Sequence, residues 1–410
     1  MTERRGDPAY RGLSGTDILL FAMACGLSVA NIYLAQPLLD AMARDLGVRP
    51  AMIGTVVTAT QLGYALGLIF LVPLGDLVDR RRLIVLQTIL SSLALLAAAT
   101  SSDFIILLAA LCLVGLLAVA VQVLVAFAAA LVVERERGKT VGVVTSGVVI
   151  GILLARFVSG VLADIAGWRS VYLASAALML ITTAILARRL PTETAKRART
   201  SYPHLLRSAV MLLAEEPLFR TRAILALLIF ATFSTFWTAM VLPLTAPPLS
   251  LSHAGIGLFG IVGLAGALAA GAAGRLADRG LAQWTTGISL ALMLFSWLPI
   301  ALLSHSLWPF VFGVLILDFA IQAVHVTNQS VILALRPDAQ SRLIGSYMVF
   351  YSAGSAFGAI ASTIAYGWAG WTGVSVLGAC ISATALLFWL VTRRPITAAS
   401  RKRAPSTSRL

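Results

Sequence analysis

Leu71-Val-Pro-Leu-Gly-Asp-Leu-Val-Asp-Arg-Arg-Arg-Leu83 is a dense charged turn set between two long apolar runs. Far downstream a weaker copy, Gly274-Arg-Leu-Ala-Asp-Arg-Gly280, again stands between apolar runs. A charged loop that recurs at half the chain length is the mark of a duplicated membrane protein. Composition agrees. The chain has 410 residues, 59% of them hydrophobic and 12% charged, with a mean hydropathy of +0.92; soluble domains carry roughly 25% charged residues. Its apolar runs reach the roughly 20 residues that a helix needs to cross a bilayer and exceed what a barrel strand needs.

The formal net charge of +14 would point to nucleic acid in a soluble protein. Here the basic residues lie in loops and tails with no aromatic platforms between them, so they read as topology signals and contacts to anionic headgroups. Cys25, Cys112 and Cys380 lie inside apolar runs without metal-ligand spacing and read as small hydrophobes. The first sixteen residues are polar and basic, so no cleavable signal is expected and the first spanning helix directs insertion.

Apolar runs broken by charge or turn residues predict an all-α membrane protein of twelve transmembrane helices. Six fall within 17–187 and six within 223–392, giving two pseudo-symmetric six-helix bundles. A basic linker over 188–222 joins them and includes the amphipathic stretch Leu205 to Leu213; residues 1–16 and 393–410 are tails. With the N-terminus inside, 27 of the 31 basic residues fall on the inner side and 3 on the outer. Both termini are therefore expected to be cytoplasmic. The one basic residue left over is Arg156, inside the fifth helix; among the acids only Asp318 falls well inside a run, in the tenth. Spaced glycines recur in the second and fifth helices of each half: Gly63 and Gly67, Gly147 and Gly151, the series from Gly257 to Gly266, and Gly354 and Gly358. They are read either as surfaces along which helices rock or as ordinary tight packing.

Two six-helix halves, a long basic linker and the charged loop between helices two and three resemble the major facilitator superfamily. Its loop motif reads Gly-x-Leu-Ala-Asp-Arg-x-Gly-Arg-Arg/Lys. Asp76 matches the Asp, and Arg80 and Arg81 the closing basic pair, while Val72, Leu77 and Asp79 replace the first Gly, the first Arg and the second Gly. The second copy keeps Gly274, Leu276, Ala277, Asp278 and Arg279 but lacks the basic pair. Within the superfamily the chain is similar to bacterial drug and sugar efflux permeases of the proton-antiporter branch. That likeness rests on Asn31-Ile-Tyr-Leu-Ala-Gln-Pro37, Thr60-Gln-Leu-Gly-Tyr64, the stretch from Gly147 to Gly160 and Gly167-Trp-Arg169. Two features of the branch are absent: Gly151-Ile152 stands where its fifth helix has Gly-Pro, and the fourth helix has no intramembrane Arg.

A charge at the bilayer centre costs about 2.5 to 3.5 kcal/mol on insertion scales, so Arg156 and Asp318 need partners. At 1.5 Å per residue they lie roughly 11 and 15 Å from the outer ends of their helices. Either a salt bridge between the halves or a local network within each half is compatible with those depths. Gln322, His325 and Gln329 follow Asp318 at i+4, i+7 and i+11, a polar stripe that belongs on a protein interior or a wet cavity. The resemblance places this helix against the central cavity, with Asp318 and His325 as candidate proton carriers; a satisfied structural histidine is the other reading of His325. The candidate cavity groups are Asn31, Tyr33, Gln36, Gln122, Ser234, Trp237, Thr238, Gln322 and Gln329, a set suited to neutral or amphipathic solutes. Asp76, Arg80, Arg81, Asp278 and Arg279 form the candidate cytoplasmic gate.

Gly138-Lys139-Thr140 ends like a phosphate loop, but no strand precedes it and Val133 stands where the leading Gly belongs. No metal or thiol motif is present, so neither an enzyme nor ATP-driven transport is expected. The expected function is proton-antiport export of small organic molecules by alternating access from a bacterial inner membrane. The partners are then a small-molecule substrate, protons and the lipid bilayer, with no nucleic acid, no cofactor, no metal and a monomeric protein. The alternatives are an uptake symporter or facilitator on the same fold, and a non-transporting receptor or scaffold.

Overall fold

A computed structural model describes residues 13–191, 202–335 and 340–393. The tails before 13 and after 393 and part of the linker lie outside the described residues, as do the side chains of Asp76 and Asp278. Every regular element among the described residues is helical. In order they are α1 (Gly15–Tyr33), α2 (Leu39–Asp45), α3 (Thr55–Phe70), α4 (Arg80–Thr100), α5 (Phe104–Ala118), α6 (Ala120–Ala130), α7 (Glu134–Ala166) and α8 (Trp168–Arg189). The amphipathic linker helix α9 (Tyr202–Glu215) follows. Then come α10 (Pro217–Ala239), α11 (Val241–Thr245), α12 (His253–Leu276), α13 (Ala282–Phe295), α14 (Trp297–Ala301), α15 (Leu307–Leu333) and α16 (Gln340–Thr392).

Ten helical stretches among the described residues are long and apolar enough to cross a membrane. The last of them, Arg342–Thr392, is interrupted where Ala369 leaves helical geometry and Gly370 takes φ +58°. α12 contains a shorter apolar stretch, His253–Gly263. Polar side chains begin several helices by taking up backbone N–H groups that have no partner in the first turn. Ser14 and Asp17 form a reciprocal cap on α1, Asp103 caps α5 and Ser306 caps α15. Asp79 accepts from the Arg82 N–H at 2.8 Å and caps α4. The residue that departs from the family's loop glycine is therefore the start signal of a helix.

Large apolar side chains stand on the outside as well as in the core, and many polar ones are buried. Leu19, Ile105, Trp308, Trp368 and Val391 are exposed, while Thr60, Gln61, Ser91, Ser92 and Thr286 are buried. Lipid does not drive apolar side chains inward, so small and polar residues take a share of the helix contacts beside the large apolar ones. A Cβ on Gly63 would collide with the Cys112 carbonyl on α5, and one on Gly151 with the Gly26 carbonyl on α1. Gly354 and Gly358 press in the same way on Leu227 and Ala231 of α10. At these pairs the helix backbones approach within reach of a single Cβ, a closeness that both readings of the spaced glycines require. On α12, Gly257 abuts the Arg156 carbonyl on α7 and so joins an early segment to a late one.

The segment before the linker and the segment after it meet mainly away from the end that carries Arg80, Arg81 and Arg82, hereafter the basic end. Thr363 donates to the Ala51 carbonyl at 3.1 Å and Thr58 to the Ala356 carbonyl at 2.9 Å, joining α16 to the start of α3. Nearer the middle, Ser352 donates to Gln61 at 3.4 Å. At the basic end the described contact is from the linker: Tyr202 donates to the Phe70 carbonyl at 2.8 Å.

Candidate substrate and proton site

Arg156 projects from α7 and is 4% exposed. Its Nε donates to Gln36 Oε1 at 2.8 Å, and its guanidinium lies 3.9 Å from the centre of the Trp237 ring. The rings of Tyr33 and Phe233 stand 5.1 and 5.5 Å away. Aromatic faces carry negative electrostatic potential, so this cage stabilises a cation without a carboxylate in contact. Asp318, on α15 and also 4% exposed, receives the Trp237 indole N–H on Oδ1 at 3.1 Å. Its other oxygen lies so close to Gly263 of α12 that any side chain at 263 would displace it. The two lone charges are therefore joined through Trp237, which stacks on one and donates to the other. The hydrogen bonds keep each charge within its own half, Arg156 with Gln36 and Asp318 with Trp237, as one of the two alternatives read from the sequence has it; what crosses between the halves is the stacking of Arg156 on Trp237, not a direct salt bridge. Arg156 Nη2 has no hydrogen-bond partner among the described residues. A buried guanidinium with a spare donor favours an acceptor brought by a ligand or water.

Above and below this core the site is lined by rings and amides. Tyr33 on α1 and Tyr351 on α16 bring their hydroxyls into contact across the two segments. His325 pairs its Nδ1 with the Tyr347 hydroxyl at 3.0 Å and meets the Phe230 ring edge-on at 5.0 Å. Gln122 donates to the Tyr64 hydroxyl at 3.3 Å. Ser234 and Thr238 are buried one turn apart with their hydroxyls 3.4 Å from each other. Gln322 and Gln329 are half-buried on the Asp318 stripe. Asn31, also expected in the cavity, is taken up by a contact between helices. It accepts from Ser175 at 2.5 Å and so binds α1 to α8.

Tyr347, Tyr351 and Asn328 are not among the residues singled out from the sequence, because an aromatic or amide inside an apolar run is common packing material. Arg222, counted above with the linker, lies in α10 and is buried, donating to Thr286 at 2.9 Å and Asn328 at 3.0 Å. At the basic end Arg80 donates to the Gly75 carbonyl at 3.1 Å, and Arg81 to the Ala187 carbonyl at 2.5 Å, a cation on the last turn of α8. In the second copy Arg279 is exposed and Gly280 takes φ +84°, the left-handed geometry that glycine adopts without strain.

The Major Facilitator Superfamily profile matches residues 21–279 and 222–409. The uncharacterized transporter YgaY of Escherichia coli O157:H7 is 45% identical over 377 residues, covering 92% of this chain and 95% of that protein. The purine ribonucleoside efflux pump NepI of E. coli O127:H6 is 27% identical over 217 residues, 52% of this chain and 54% of that one. Among solved structures, a bacterial homolog of the human lysosomal transporter Spinster, in an inward-facing and occupied conformation, superposes with a TM-score of 0.74. It is 15% identical and covers 94% of this chain and 97% of its own, so the likeness is one of fold. The chain belongs to the Major Facilitator Superfamily and is a membrane transport protein, not an enzyme.

Proposed function

We propose that the protein is a secondary active exporter of small organic molecules, such as drugs, sugars or related metabolites, driven by proton antiport through alternating access. The observation that carries this reading is the buried Arg156, Trp237 and Asp318 assembly, which spans the two segments. A carboxylate and a guanidinium kept out of water are costly and mark ion pathways in membranes. Protonation of Asp318 removes its charge and weakens the hold on the Trp237 indole. The linkage through Trp237 to Arg156 then loosens, and the two segments are free to rock.

This reading takes the fold as twelve spans. α12 counts as one, and α16 as two divided at Ala369 and Gly370. Residues 17–187 and 223–392 form the two bundles, 188–222 the linker, and 1–16 and 393–410 the tails. The basic end is the cytoplasmic face of a bacterial inner membrane, by the bias of Lys and Arg, with both termini there and the protein a monomer. The contacts away from that end then close the outer side, so the conformation is inward-facing. Tyr33, Gln36, Gln122, Ser234, Trp237, Thr238, Gln322 and Gln329 contact the substrate, and Asp318, Arg156 and His325 handle the proton. Asp76, Arg80, Arg81, Asp278 and Arg279 hold the cytoplasmic gate when it closes. The named activity of NepI supports export, and the uncharged aromatic and amide lining supports a neutral or amphipathic solute.

A thermal-shift screen of the purified protein against drugs, sugars and nucleosides identifies a ligand, since a binder stabilises the folded state by mass action. With that ligand, an inwardly acidic pH gradient across inside-out vesicles is expected to build a substrate gradient directed into the lumen. Accumulation in the opposite sense overturns the export reading in favour of uptake symport.

A further inference from the structure

At the end opposite Arg80, one histidine sits between two carboxylates. His253, the first residue of α12, places Nδ1 2.8 Å from Asp164 Oδ1 and Nε2 3.0 Å from Asp40 Oδ1. Asp164 ends α7, and Asp40 lies on α2. The side chains are 16% exposed for His253, 28% for Asp164 and 6% for Asp40. Asp164 also accepts the backbone N–H groups of His253 and Ala254, at 3.1 and 2.8 Å, and so caps α12 from across the segment boundary. Beneath this cluster the Gly160 backbone abuts the His253 carbonyl, a fit that no larger residue at 160 would allow.

Between two ionised carboxylates this geometry suits the charged ring. A neutral imidazole has one N–H and can donate to one carboxylate; donating to both requires the imidazolium. We propose that His253 is a proton-operated latch, a second proton-binding element that closes the outer side when it is charged and releases α12 from α2 and α7 when it is not. The neighbouring charges leave the histidine as the responsive group. Arg44 lies 2.8 Å from Asp40, while Asp45 is engaged by Arg169 and Trp168. Arg156 lies deeper on α7 in its aromatic cage, and residues 246–252, which lead into α12, carry no charge.

The latch rests on the alternating-access reading and adds a direction to it. A proton taken from the outer side favours closure there, so the proton enters with the inward-facing state. Loss of the proton at higher pH leaves one carboxylate facing an imidazole lone pair, and the closed outer side weakens.

The test is a distance measurement, which needs neither substrate nor flux. Spin labels are placed at Arg49→Cys and Ser304→Cys, both exposed beyond the latch, in a background with Cys25, Cys112 and Cys380 replaced by alanine. Double electron–electron resonance in nanodiscs reads the ratio of short to long distances. The wild-type ratio is expected to fall about tenfold between about pH 5.5 and about pH 8.5, the change that accompanies a one-unit difference in proton affinity between the two states. His253→Gln is expected to give a ratio that does not move with pH. In Asp40→Asn a neutral imidazole can donate to Asp164 and accept from the amide, so the short distance should persist at high pH; this variant keeps the test decisive if His253→Gln does not fold. A wild-type ratio independent of pH, or variants that shift as the wild type does, overturns the latch. The proton-coupled transport reading is tested separately, by flux through Asp318 variants.

Discussion

Asp318→Asn protein in proteoliposomes is expected to lose uphill, gradient-driven transport by about 100-fold or more, while substrate exchange at equal pH stays within about threefold of wild type. Asparagine keeps the size of the side chain and can still accept from the Trp237 indole through its carbonyl. What it cannot do is gain and lose a proton. Exchange requires only that the loaded carrier cross back and forth, and this does not consume the gradient. Uphill movement requires the carrier to return in a different protonation state. A variant that exchanges but does not pump therefore assigns the proton to this carboxyl; undiminished pumping removes Asp318 from the coupling.

The second large effect concerns stability. Arg156→Leu is expected to destabilise the protein by about 3 to 5 kcal/mol, because removing one member of a buried charged network leaves the other uncompensated. Here the group left behind is Asp318, whose recorded hydrogen-bond partner is the indole that Arg156 stacks upon. The double variant Arg156→Leu with Asp318→Leu should recover most of that loss, since neither charge then remains out of water. Detergent melting curves of the two singles and the double complete the cycle. Additive losses would mean that the two charges do not act through Trp237. Arg156→Lys is expected to rescue little, as an ammonium has neither the planar face for the ring nor the fixed fork that reaches Gln36.

The fold and the two lone charges were legible in the sequence for one physical reason: lipid makes exceptions expensive. Long apolar runs have to be helices, since every backbone group must pair internally, and a charge within such a run has to have a partner. The same logic found Arg156 and Asp318 but not how they meet. Trp237 was read as one aromatic among several cavity groups, because nothing in its own run shows that its ring faces one distant residue and its N–H another. Asn31 looked polar and central, yet its partner is Ser175, a small residue that carries no signal of its own.

The latch histidine was passed over for the opposite reason. His253 stands in a loop-to-helix junction where a polar residue costs nothing, and its carboxylate partners come from two other helix ends. At the basic end the reverse held. Asp79 was read as a departure from a loop motif, although an Asp directly before an Arg-rich helix start is a cap in its own right.

The claim that substrate and proton share one cycle is tested most directly by letting substrate move the proton. Proteoliposomes are loaded with a lumenal pH dye and given a substrate gradient but no pH gradient. Downhill substrate movement is expected to drive protons the opposite way and change the lumenal pH, with no change for the Asp318→Asn protein. Substrate movement at full rate with no proton movement in the wild type would contradict proton antiport.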